Sequence, residues 1–76
     1  GREFKVYTPE YGSSVNDGEV LISGISDPGA ALSVDGKAVG RNKDGSFEFI
    51  IPLSPGKNTF EFTQGEKTYE YILYRN

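Results

Sequence analysis

Clusters of turn-forming residues interrupt this chain at intervals of roughly 8 to 12 residues, and they decide its class. Gly12-Ser13-Ser14, Asp27-Pro28-Gly29, Asp35-Gly36, Asn42-Lys43-Asp44-Gly45, Pro52 to Gly56 and Gln64-Gly65-Glu66 leave little room for a helix of ordinary length, and no interval carries a 3.6-residue apolar repeat. What lies between them alternates instead. Ten glycines and four prolines among 76 residues would ruin helices but suit short strands and tight turns.

Phe4 and Val6 alternate with Glu3 and Lys5 up to Thr8, and Pro9, which has no N–H to give a ladder, ends that strand. Glu10 to Asp17 reads as a loop from which Val15 reaches the core. Glu19 to Ser23 puts Val20 and Ile22 on one face and leaves Leu21 on the polar one. Ser26-Asp27-Pro28-Gly29 predicts a type II turn, with proline presetting φ at the second turn position and glycine accepting the positive φ needed at the third. Ala31 to Asp35 turns Leu32 and Val34 inward, and Asp35-Gly36 predicts a tight hairpin into a short strand over Lys37 to Arg41 that carries Val39. Ser46 to Ile51 turns Phe47, Phe49 and Ile51 inward, and Asn58 to Thr63 does the same with Phe60 and Phe62. Lys67 to Arg75, the longest strand, turns Tyr69, Tyr71 and Leu73 inward. A chain this short can bury only one core, so residues 1–76 make a single all-β domain, an antiparallel two-sheet sandwich of about seven short strands.

Composition removes several function classes. There is no cysteine and no histidine, which excludes disulfides, thiolate metal sites and the commonest acid/base side chain. The net charge is −3, and the eight Lys and Arg residues are scattered from Arg2 to Arg75, so nucleic acid is not an expected partner. No apolar run approaches the roughly 18 residues that span a bilayer, and membrane insertion is not expected. Gly1 reads as a remnant of tag removal, and the last strand runs almost to Asn76, which together lead to the expectation of a module cut from a longer protein.

Ile22-Ser23-Gly24, Pro28-Gly29-Ala30, Val34-Asp35-Gly36 with Val39, Asp44-Gly45-Ser46-Phe47, and Leu53 with Pro55-Gly56-Lys57-Asn58 follow one another in an order and spacing that spans nearly the whole chain. In this it resembles the bacterial immunoglobulin-like (Big-type) modules of extracellular, cell-wall and glycan-processing proteins, including the domain beside the catalytic domain in glucodextranase-like enzymes. The carriers are fold signals: glycines for turns, Leu53 to plug the end of the sandwich, Asn58 to bond the bend before it. The resemblance implies an immunoglobulin-like sandwich in a secreted or surface-attached bacterial protein, acting as a non-catalytic spacer or docking module. Its expected partners are the neighbouring domains of its own protein, with the module itself monomeric.

Chemistry in the residues themselves is sparse. The aspartates lie in turns, where their carboxylates bond backbone amides, and the glutamates alternate with buried aromatics as solvated strand faces, so no catalytic residue, cofactor or metal is assigned. Asn42 and Asp44 beside Gly45 resemble the start of a calcium loop, but the later bidentate glutamate is missing. Exposed tyrosines at Tyr7, Tyr11 and Tyr74 would make a carbohydrate-binding module the first alternative, and an adhesin-like protein-binding domain the second. The strongest anomaly is apolar: Tyr7, Leu21 and Ile50 fall on the polar faces of strands that should be neighbours, and Ile72 with Tyr74 forms a similar outward pair on the last strand. Either these residues form a docking surface, or bulges turn some of them inward.

Overall fold

The computed structural model describes residues 3–76 and contains strands and turns only. The first sheet has the order β1 (Lys5–Thr8), β3 (Glu19–Ile25), β6 (Ser46–Pro52). The second has the order β2 (Ser14–Val15), β8 (Lys67–Arg75), β7 (Gly56–Gln64), β4 (Leu32–Val34), β5 (Lys37–Ala38). Stacked, they form an immunoglobulin-like β-sandwich. No helix of the described residues is long and apolar enough to cross a membrane.

The described residues form eight strands rather than about seven, because Ser14–Val15, within the expected Glu10 to Asp17 loop, pairs with β8. That pairing is parallel, so the second sheet is mixed rather than purely antiparallel. The chain leaves the first sheet at the cis Thr8–Pro9 bond and lies down along the second. There the Gly12 N–H donates to Ile72 O (2.7 Å), Tyr74 N–H to Ser13 O (2.9 Å) and Asn76 N–H to Val15 O (2.9 Å). The first chain segment thereby belongs to both layers.

Every residue expected to point inward lies in the core or packs against it. Ile22, Phe62 and Leu73 are fully buried, and Val15, Val20, Val39, Phe49, Ile51 and Tyr69 pack around the edges. Phe62 stands at the centre of an aromatic group, with ring centroids 5.0 Å from Phe4, 6.3 Å from Phe47, 6.1 Å from Phe49 and 6.0 Å from Tyr71. Burial of side chains this size contributes about 1.5–3 kcal/mol each, which is how a domain with no disulfide holds together. Leu53 closes one end as expected: it is buried, its N–H donates to Gly18 O (2.9 Å), and its carbonyl accepts from Arg75 Nη1 (3.1 Å). Asn58 braces the bend before it, accepting the Ser54 N–H and donating to Ser54 O and Gly56 O.

Two glycines are required by space. A methyl at Gly24 would collide with the Lys5 carbonyl oxygen and lie 2.7 Å from Phe47 Cζ and 3.0 Å from Val6 Cα, so only glycine lets β1 approach β3 this closely. Gly45 has φ 92°, and a methyl there would strike the Ser26 carbonyl oxygen. Ser26 is completely buried and ties down the same turn, donating from its N–H (2.8 Å) and its hydroxyl (3.0 Å) to Gly45 O.

The Asp35-Gly36 hairpin forms with positive φ at both residues (48° and 82°), as a two-residue turn of this kind requires. Its second strand is shorter than expected, ending at Ala38, because the chain then crosses toward the first sheet. The Asp27 turn corrects the type II expectation: Gly29 does not take a positive φ. Asp27 Oδ1 accepts the Gly29 N–H (2.8 Å) and Asp27 O accepts the Ala30 N–H (3.1 Å), so an aspartate side chain closes the bend that glycine was expected to close.

Candidate functional surface on the first sheet

Leu21 and Ile50 face each other directly across β3 and β6, on the outer face of the first sheet, 49% and 63% exposed. A cross-strand pair this open gives up the burial it would have in a core, and a hollow bordered by Asp17, Glu19 and Val20 continues beside it. Tyr7 is on the same outer face and 55% exposed, at the point where the β1 register slips between Val6 and Thr8. The irregularity does not turn it inward. The slip gives Ser23 to Thr8 and leaves Tyr7 without a paired residue, and the Ser23–Glu48 pair lies between this end of β1 and the Leu21–Ile50 pair. Tyr7 instead borders a shallow cleft of about 440 Å³ with Ser23, Arg41, Asn42 and Glu48, and the Lys5 ammonium lies 5.8 Å from its ring centre.

The other expected outward residues do not join this surface. Ile72 is a correction: it is only 8% exposed, because Thr59 of β7 flanks it on one side and the Gly12 turn bonds to β8 on the other. The second apolar pair on the last strand therefore does not exist. Tyr74, 40% exposed, is on the outer face of the second sheet, opposite Lys57 and Ser14. Tyr11, 60% exposed, stands edge-on to Tyr71 with centroids 6.0 Å apart. Tyr7, Tyr11 and Tyr74 thus occupy three separate places and form no common platform for a sugar ring.

Tyr71 has a buried hydroxyl that meets no hydrogen-bond partner among the described residues, and burial, followed by the nearby Glu10 carboxylate, pushes its pKa up to about 12. The turn carboxylates of Asp44 and Asp35 are engaged by neighbouring donors, one within its own turn and one on β7. Asp44 Oδ1 accepts from the Ser46 N–H (2.9 Å) and hydroxyl (2.6 Å), and Asp35 Oδ1 accepts the Glu61 N–H (2.9 Å). Among the described residues no three His, Cys, Asp or Glu side chains converge on a metal-sized point.

One feature was invisible to alternation. The first sheet stops at β6, while β4 and β5 of the second continue beneath that edge. Between them opens a hollow of about 490 Å³, lined chiefly by Val34, Val39, Phe49, Ile51 and Phe60. Leu53 N–H donates toward β3, at Gly18 O. By the period of two, residues 47, 49 and 51 also bond toward β3, and Glu48 and Ile50 direct their N–H and C=O groups away from the sheet. Finding this edge requires the strand order, which no local pattern carries.

Compared with protein-family models, curated proteins and solved structures, the chain matches none.

Proposed function

We propose that this domain is a non-catalytic spacer or docking module of a secreted or cell-envelope bacterial protein, placed beside a domain that processes glycan or cell-wall material. The observation that carries the docking role is the Leu21–Ile50 pair: two large aliphatic side chains, directly opposed and about half or more exposed, at the free-edge side of the first sheet. An isolated exposed leucine needs no explanation, but an opposed pair whose Ile50 also borders the apolar hollow beneath the β6 edge is the kind of surface that a neighbouring domain normally covers. The bacterial immunoglobulin-like resemblance supplies the cellular setting, and the want of histidine and cysteine in the sequence agrees with a role that needs no chemistry.

The test compares the module alone with the same module inside the longest natural protein that contains it. Hydrogen exchange at Leu21 and Ile50 should be slower in the longer protein. Equal exchange in both would end the docking reading. Adding cell-wall and plant glycan fragments to the module should leave the amides around Tyr7, Tyr11 and Tyr74 unmoved; saturable shifts there would make it a carbohydrate-binding module instead.

A further inference from the structure

The geometry points to strand addition at the free edge of β6 as the way a partner docks: an extended segment of about five residues, basic at one position and aliphatic at its neighbours, completing the first sheet. This rests on the docking reading above and names its mode and the chemistry of the occupant.

The start of β6 is already satisfied, because Ser46 O accepts the Asn42 N–H (2.9 Å) and the Ser46 N–H donates to Asp44 Oδ1 (2.9 Å). Among the described residues, what remains open is the N–H and C=O of Glu48 and Ile50 and the carbonyl of Pro52, which has no N–H to offer. Such groups, spaced by two residues on an extended backbone, are met by another strand and by little else.

The side chains around the edge set the chemistry. Glu48 is exposed and is the only ionisable residue of β6, so the position opposite it takes a lysine or arginine. Ile50, with Leu21 beyond it, takes an aliphatic residue on the outer face. The positions opposite Phe49 and Ile51 turn inward over the hollow of about 490 Å³ and take aliphatic residues as well. A single segment fits this place better than a second copy. β5 borders the same hollow, and a second β6 laid antiparallel along the edge would bring its own β4–β5 layer into that space.

The experiment uses the whole chain and two synthetic peptides. The first is acetylated and amidated Lys-Thr-Val-Ile-Val-Lys; the second is identical except for an N-methyl group on the isoleucine, whose N–H would point at Ile50 O. Saturating the protein with the first should slow amide exchange at Glu48 and Ile50 by about tenfold or more, and the N-methyl peptide should abolish that slowing. If both peptides shift the Leu21 and Ile50 side chains equally without slowing those amides, docking is apolar and strand addition is refuted. If neither peptide binds, strand addition is refuted too, while the docking reading is decided separately by the exchange comparison in the longer protein.

Discussion

Gly24→Ala tests the packing logic of the fold most sharply. The added methyl meets backbone on one side, the Lys5 carbonyl and Val6 Cα, and the Phe47 ring on the other, so neither neighbour is the loose end of a flexible side chain. Ordinary contact distances require β1 to retreat by about 1 Å, enough to break its hydrogen bonds to β3. The cost is capped by complete detachment of β1. That would expose Phe4 and Val6, both half-buried against the core, and so forfeit about 2–4 kcal/mol of burial. Against this, alanine restricts the unfolded chain and returns about 0.4–1 kcal/mol. The net loss is about 1–3.5 kcal/mol, out of a total stability of about 4–11 kcal/mol for a domain this size. A thermal melt followed by circular dichroism should show Tm falling by about 4–28 °C. Gly40→Ala is the control, since a methyl there has nothing within 4 Å, and its Tm should stay level or rise slightly. A Gly24→Ala protein melting within about 4 °C of the parent would refute the close-approach argument.

Other perturbations follow the same reasoning. Burial holds the folded Tyr71 phenol at about 12 against its ordinary 10.0, so its stability contribution is complete below pH 10 and is lost as pH rises from there through 12, at most about 2.7 kcal/mol in all. Tyr71→Phe should flatten that alkaline loss in urea titrations and, by removing a buried hydroxyl without a partner, leave stability at pH 7 unchanged or raised by about 0.5–1 kcal/mol. Ser26→Ala should cost about 1 kcal/mol by deleting its hydroxyl bond to Gly45 O, whereas Gly45→Ala should cost more than about 3 kcal/mol, because it adds a clash with Ser26 to a strained φ; equal effects in denaturant melts would contradict this. Phe49→Ala should cost about 3 kcal/mol, the low end for an aromatic deletion, since Phe49 is only half-buried between Phe47 and Phe62.

Alternation located the strands well because each has one wet face and one dry face. Phe47, Phe60, Phe62 and Leu73 announce themselves against Glu48, Glu61 and Tyr74 without any knowledge of their partners. It also marked Tyr7, Leu21 and Ile50 as outward, and they are. It failed where burial comes from something other than the facing sheet. Ile72 points away from the main core, yet the Gly12 turn and Thr59 shelter it, and nothing local to Ile72 reveals that a loop some 60 residues earlier in sequence will lie beside it. β2 escaped notice because two residues have no period, and its parallel partner is distant in sequence. The Asp27 turn was found but mistyped, since an aspartate side chain can replace a left-handed glycine and both begin with the same residues. Half of the candidate surface, the Leu21–Ile50 pair, could be read from the sequence. The free edge beside it could not, because it depends on which strand ends a sheet.

The parallel contact of β2 with β8 has a mechanical consequence. Tension applied across the two ends of the chain draws β2 back toward the first strand and β8 forward toward Asn76, so the two slide lengthwise against each other. The bonds from Gly12 to Ile72, from Tyr74 to Ser13 and from Asn76 to Val15 are then loaded together in shear rather than peeled one at a time. A module strung between larger domains would resist stretching through this short clasp, and its lifetime under load would follow the rate at which the clasp parts rather than the stability of the whole sandwich.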